Sequence, residues 1–208
     1  MEKVEIPRKT IYRLSIYQRC LSKLLENDIE KVSSSALAKA AGVKPAQLRR
    51  DLTYFGQFGT RGLGYDVGDL RDAIREVLGR THLQPVVLVG AGNLGSALLR
   101  YQGFGKEGFE VVAAFDAVPE AVMHRGVEIP IFDVEEMADF VRKHSVRLAI
   151  LSVPGEHAQE VANELVDAGV SGILNFSPTV LQVPDSVTVN NVDLAVELES
   201  LSYFVGKE

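Results

Sequence analysis

Apolar side chains in the first 80 residues recur at helical spacing. Ile11, Leu14, Tyr17, Leu21, Leu24 and Leu25 fall three and four apart, which predicts an amphipathic helix over residues 10–26. In the stretch VSSSALAKAAGVKPAQLRRDL, Ser34 or Ser35 is expected to cap a short helix reaching about Ala41. Gly42 can take the left-handed conformation that ends it, and Pro45 suits the first position of the next helix, where no amide donor is needed. That third helix is expected to run to about Phe55, with Leu48, Leu52 and Phe55 inward and Gln47, Arg49, Arg50, Asp51 and Tyr54 away from the apolar side. Short helix, glycine turn and second helix make a helix-turn-helix. Residues 56–65, GQFGTRGLGY, hold four glycines in ten, too many for a helix. They fit a tight two-stranded ribbon turning near 60–62, which completes a winged helix. One more amphipathic helix is expected over 69–78, and GRTHLQ (79–84) reads as the connection to the second half of the chain.

Beyond residue 84 the pattern changes to alternating strand and helix. Strand patterns fall at 85–90, 110–115, 147–153, 170–176 and 187–192, with a weaker one at 127–132. Helix patterns lie at about 93–102, 133–144 and 156–168, and DLAVELESLSYFV supplies a last amphipathic segment. This alternation predicts a doubly wound, Rossmann-like parallel sheet. The expected fold class is therefore α/β plus a small α+β unit. Its divisions are a winged helix-turn-helix domain over 1–79, a linker over 80–84, a sheet domain over 85–192 and a C-terminal helix within 193–208.

The overall charge of −6 argues against nucleic acid until the chain is divided. Residues 1–80 carry 15 basic and 10 acidic side chains, whereas residues 81–208 carry 7 and 18. Such asymmetry hints at a nucleic-acid-binding end on an acidic carrier. The single cysteine cannot form an intramolecular disulfide, and neither a secretory signal nor an apolar run of membrane-spanning length is visible. A soluble cytoplasmic protein is expected.

The segment PVVLVGAGNLGSALLRY (85–101) places Gly90, Gly92 and Gly95 in a G-x-G-x-x-G run between a strand and a helix. The first glycine allows the tight turn, the second admits a pyrophosphate, and the third lets helix and strand pack closely. The helix start adds amide donors and partial positive charge. The next strand ends in Asp116, whose carboxylate can hold ribose hydroxyls and repel a 2′-phosphate, which favours NAD over NADP.

Hydride chemistry would also need an acid or base. His82, His124, His144 and His157 read as exposed histidines, and Cys20 as a half-buried structural thiol. Tyr203 and Lys207 have the spacing of short-chain dehydrogenases but stand at the chain terminus, and the match reads as chance. Neither a catalytic group nor a metal site is expected. On the third helix, Gln47, Arg49 and Arg50 are residue types that read base edges, Lys44 can contact phosphate, and Arg61 suits a narrow minor groove. A single module binds modestly, so two copies on two half-sites are expected. A small NAD-dependent oxidoreductase and a coenzyme A type nucleotide domain are the competing readings. The first leaves the basic helix unexplained, and the second leaves Asp116 without a reason.

The segments RRDLTYFGQFGTRGLGY (49–65), GAGNLGSALLRYQGF (90–104), AFD (114–116), LSVP (151–154), AGVSGILNFSP (168–178) and NVDL (191–194) occur in one order along nearly the whole chain. In them the sequence resembles the redox-sensing transcriptional repressor Rex family. The resemblance implies a homodimeric winged-helix repressor that senses the NADH/NAD+ balance and leaves a palindromic operator when NADH binds. It also implies a domain-swapped C-terminal helix over about 193–205. By the same resemblance, Gly90, Ala91, Gly92, Asn93, Leu94 and Gly95 hold the pyrophosphate and Asp116 the adenosine ribose. Pro154 borders the nucleotide, while Asn175, Phe176 and Pro178 lie towards the nicotinamide. On residue type and position, and not by the resemblance, Lys44, Gln47, Arg49, Arg50, Tyr54 and Arg61 are the expected DNA-facing set. Arg19, Tyr101 and Asp193 match the family's switching residues, the aspartate exchanging between arginine and tyrosine. The sequence departs from many relatives at Val118, where they carry a second acidic residue.

Overall fold

The computed structural model describes residues 6–56, 58–59, 63–79, 82–123 and 128–206. The chain forms two compact units, Met1–His82 and Leu83–Glu208.

The first unit contains α1 (Arg8–Leu25), β1 (Lys31–Val32), α2 (Ser34–Ala40), α3 (Pro45–Thr53), β2 (Tyr65–Asp66) and α4 (Val67–Val77). Its core joins Leu14, Tyr17 and Leu21 of α1 to Leu37, Leu48, Leu52, Leu70 and Ile74. Ser33, one residue ahead of the expected caps Ser34 and Ser35, closes the start of α2, its Oγ accepting the Ala36 amide at 3.0 Å. Gly42 (φ +68°) turns the chain between α2 and α3. The latter opens on Pro45 and ends at Thr53, two residues earlier than its apolar pattern suggests. Asp66 accepts the Asp69 amide at 3.1 Å, so α4 also begins two residues early.

β2 pairs antiparallel with β1, Lys31 opposite Asp66 and Val32 opposite Tyr65, a pairing beyond the ribbon expected within 56–65. A two-residue strand is too short to leave an alternating pattern, so periodicity does not reveal β1. The glycines serve close approach: a Cβ on Gly64 (φ +78°) would stand 2.5 Å from the Val32 carbonyl oxygen. Residues 60–62, with the expected turn and Arg61, lie outside the described residues.

The second unit runs β3 (Gln84–Val89), α5 (Asn93–Leu99), α6 (Gly103–Lys106), β4 (Phe109–Asp116), α7 (Glu120–Met123) and β5 (Ile131–Asp133). After a 3₁₀ turn at Val134–Glu136 come α8 (Met137–His144), β6 (Leu148–Leu151), α9 (Gly155–Ala168), β7 (Gly172–Asn175), β8 (Thr188–Asn191) and α10 (Leu194–Val205). The helix expected over 93–102 thus breaks into α5 and α6. The six strands pair in parallel in the order β5-β4-β3-β6-β7-β8. That is the Rossmann order, with the reversal between β3 and β6. Both faces are covered: Val87, Val89, Phe115 and Leu151 pack under α8 and α9, and Val86, Leu88, Ala114 and Ile150 on the opposite face with Leu99 of α5. Burial on both faces is the reason β3, β4 and β6 are almost continuously apolar. No residue of α10 is buried, and no helix among the described residues is long and apolar enough to cross a membrane.

Candidate functional site

β3 stops at Val89, and the chain turns at Gly90 with φ +90°. A Cβ there would lie 2.7 Å from the Ser152 carbonyl, so only glycine lets the turn approach β6. Gly92 is the N-cap of α5 and has nothing within 4 Å of its missing Cβ, an open approach for a ligand. Gly95 presses the first turn of α5 onto the turn, since its Cβ would fall inside the Gly90 carbonyl. Ala91 is buried, whereas Asn93 and Leu94 are exposed at the helix start. Asp116 ends β4 beside this turn. Its Oδ2 accepts the Ala91 amide at 2.7 Å and its Oδ1 the Val118 amide at 3.0 Å, fixing the carboxylate on the loop. A cleft of about 340 Å³ opens here, its lining including Gly90, Asp116, Pro154, His157 and Glu135. It lies at the carboxyl ends of the strands where their order reverses, the position at which open α/β sheets take ligands.

Hydroxyls of residues distant in the chain brace the loops around this edge. Ser152 Oγ donates to the Gly90 carbonyl at 2.7 Å, Ser177 Oγ to Val153 at 2.7 Å and Thr179 Oγ1 to Gly155 at 3.1 Å. Sequence reasoning missed all three because the joined residues stand 62 and 24 positions apart, with no local spacing to reveal them. Asn175 is buried and committed to its own turn. Its Nδ2 donates to the Thr179 carbonyl and to Asn191 Oδ1, both at 2.9 Å, and its Oδ1 accepts the Ser177 amide at 2.9 Å. Phe176 is half-buried against the sheet and Pro178 is exposed.

His82, His144 and His157 are exposed, as expected; the His144 ring stacks on Phe140 with centroids 4.3 Å apart, and His157 lines the cleft. His124 and Lys207 lie outside the described residues. Cys20 is half-buried and burial pushes its thiol up, away from the reactive thiolate. Among the described residues, no group of three His, Cys, Asp or Glu could hold a metal.

On the first unit, Lys44 caps α3 without burial, and Arg49 and Arg50 are exposed on it. Arg49 Nη1 reaches Ser34 Oγ at 3.3 Å, and Tyr54 tilts against Phe55 with centroids 6.2 Å apart. Asp51 corrects the outward assignment: it is 1% exposed. Its carboxylate accepts Arg13 Nε at 2.6 Å, Arg13 Nη2 at 2.7 Å, Tyr17 Oη at 2.7 Å and Gln47 Nε2 at 2.9 Å. Burial alone would push this carboxyl up, but the hydrogen bonds from Arg13, Tyr17 and Gln47 outweigh it and hold it below the usual carboxylate range. Burial and the same carboxylate push the Tyr17 hydroxyl up, and the Asp51 hydrogen bonds raise Arg13. Of the switching set, Arg19 is exposed on α1, and Tyr101 is exposed with its ring edge-on to Phe104 at 5.1 Å. Asp193 caps α10, its Oδ1 accepting the Ala195 and Val196 amides at 2.9 and 3.2 Å.

Residues 81–179 match the family model described as CoA binding domain, and residues 5–53 that described as putative DNA-binding protein N-terminus. The redox-sensing transcriptional repressor Rex of Syntrophobacter fumaroxidans is 47% identical over 207 residues, which span 98% of this chain and 97% of that protein. RSP, a Rex-family repressor, crystallised with β-NAD+ and operator DNA, superposes with TM-score 0.90 at 37% identity, over 99% of this chain and 94% of that one. RSP with β-NADH gives 0.85 at 35% identity, over 99% and 96%. Near-half identity along the full length, with helix-turn-helix and nucleotide sheet both matched, means that the chain belongs to the Rex family of redox-sensing transcriptional repressors.

Proposed function

We propose that this protein represses transcription as a homodimer that holds a palindromic operator through its N-terminal units and releases it when NADH replaces NAD+ in the cleft. The observation that carries the reading is the glycine turn fixed to Asp116 at the strand-order reversal, on a chain that also carries a helix-turn-helix. A dehydrogenase has no use for the second feature. Gly90–Gly95 take the pyrophosphate and Asp116 the adenosine ribose, with Pro154 along the nucleotide and Asn175, Phe176 and Pro178 towards the nicotinamide. Lys44, Gln47, Arg49, Arg50, Tyr54 and Arg61 face the duplex, and the protein works in the cytoplasm.

The dimer is supported by α10. Leu194, Leu198, Leu201 and Phe204 are 61%, 67%, 61% and 72% exposed, and so apolar a helix calls for a covering surface, which a second copy supplies by exchange of 193–208. NAD+ carries a charged nicotinamide ring and NADH a neutral one. In the NADH state Asp193 bonds Tyr101, and releasing Arg19 shifts the two 1–79 heads about the 80–84 linkers. The recognition helices then miss successive major grooves, about 34 Å apart. Near-complete switching requires roughly 10⁴-fold preference between states. Gel-shift titration should show a retarded operator band relieved by NADH and not by NAD+; equal retention with both would falsify the sensing role. Asp193→Asn keeps a capping oxygen while removing the charge, so NADH should still bind and its release of DNA should be blunted. Unaltered release in that variant removes Asp193 from the switch.

A further inference from the structure

The carboxylate of Asp51 stands one helical turn after Gln47, and five donors converge on it: Thr10 Oγ1, both Arg13 contacts, Tyr17 Oη and Gln47 Nε2. Arg13 engages both oxygens from α1, so the carboxylate is fixed in orientation as well as in place. An ionised carboxylate only accepts hydrogen bonds. Of the two ends of the Gln47 amide, only the NH₂ can therefore face it, at 2.9 Å; a flipped amide would set oxygen against oxygen. Gln47 keeps its acceptor Oε1 and one remaining N–H for other partners. It is the third residue of α3, within the N-terminal part of a recognition helix that meets base edges. An acceptor beside a donor in one amide plane complements adenine, whose major-groove edge offers the N6 donor and the N7 acceptor.

We propose that Asp51, clamped by Arg13 and Tyr17, is a positioning residue for base selection, holding the Gln47 amide in the single orientation that reads adenine. This rests on the DNA-binding reading above. The test uses the full-length dimer. Duplexes that the wild-type chain selects from a random pool define its operator, and each adenine is then replaced in turn by 7-deazaadenine, which lacks the N7 acceptor. One adenine in each half-site should cost wild type about tenfold in affinity when replaced. Gln47→Ala should bind both duplexes alike. Asp51→Asn, which tolerates either amide orientation, should shrink the tenfold difference to about two- or threefold. Its salt dependence, set by phosphate contacts, should stay that of wild type. A purely structural Asp51 would weaken all duplexes equally. Arg13→Lys keeps the charge but lacks the fork, and should lose the same discrimination if Asp51→Asn folds poorly. In the DNA-free wild type, nitrogen-15 relaxation of the Gln47 side-chain amide should report a rigid group. If wild type selects no duplex at all, the DNA-binding reading itself fails. If it selects one, and no adenine is sensitive, Asp51→Asn keeps full discrimination or the Gln47 amide tumbles freely, only the orientation role is overturned.

Discussion

Replacing Gly95 by alanine tests whether the third glycine of the turn is there for packing. The added Cβ would fall inside the Gly90 carbonyl, 3.1 Å from Ser152 Oγ. The serine can rotate, but the carbonyl belongs to the turn itself, where Gly90 already sits at φ +90° against the Ser152 backbone. Relief therefore has to come from lifting α5 off β3. Overpacking of this kind costs about 1–3 kcal/mol, and a main-chain obstacle puts Gly95→Ala towards the upper end. For a unit of this size that lowers the melting temperature by roughly 5–10 °C. The same lift displaces the amides at the start of α5, so NADH should bind at least about tenfold more weakly, a loss near 1.4 kcal/mol. Gly105→Ala is the control: it adds the same methyl to α6 with nothing within 4 Å, and should be neutral or stabilise by up to about 1 kcal/mol. Differential scanning calorimetry with and without NADH, beside titration calorimetry, separates the two effects. A Gly95→Ala protein that melts and binds NADH like wild type would show that α5 does not depend on this contact.

Asp116→Asn keeps one acceptor oxygen but loses the charge that holds the Ala91 and Val118 amides, so NADH affinity should fall by about tenfold and preference over NADPH should narrow; competitive titration of both nucleotides checks it, and an unchanged preference would exclude charge as its source. The carboxyl of Asp51 is held below its ordinary value, so its stabilisation is fully present above the unfolded value of about 3.9 and is lost as pH falls through the lower folded value. Denaturant midpoints of the wild type should therefore drop in acid more steeply than those of Asp51→Asn, and parallel curves would count against the linkage. Asp51→Ala, which strands the Arg13 guanidinium, should cost about 3 kcal/mol at neutral pH, measured by urea unfolding. Leu198→Asp places a charge on an α10 side chain that is 67% exposed in the isolated chain. Light scattering should find a dimer turned monomeric, and a dimer persisting in the variant would remove α10 from the interface.

The parts of this fold legible in the sequence are those whose cause is local. The six strands and their parallel, doubly wound arrangement follow from alternation of apolar runs with amphipathic helices, and the turn at 90–95 from three glycines, each with its own steric requirement. Asp116 is legible for the same reason, being the polar end of the apolar run at 111–115. What escapes is held together by partners far apart in the chain. Lys31 and Val32 become a strand only because Tyr65 and Asp66 lie beside them. Asp51 reads as a surface residue in a helix carrying two arginines, yet Arg13 and Tyr17, 38 and 34 positions away, make it a core group. Periodicity has no means of separating the two outcomes, because a buried carboxylate is disallowed until its counter-charge arrives from another helix. The same physics explains where function concentrates. The residues that local pattern misplaces are those whose burial or orientation depends on a distant partner, and on α3 such partners hold Asp51, and through it Gln47, in fixed hydrogen bonds.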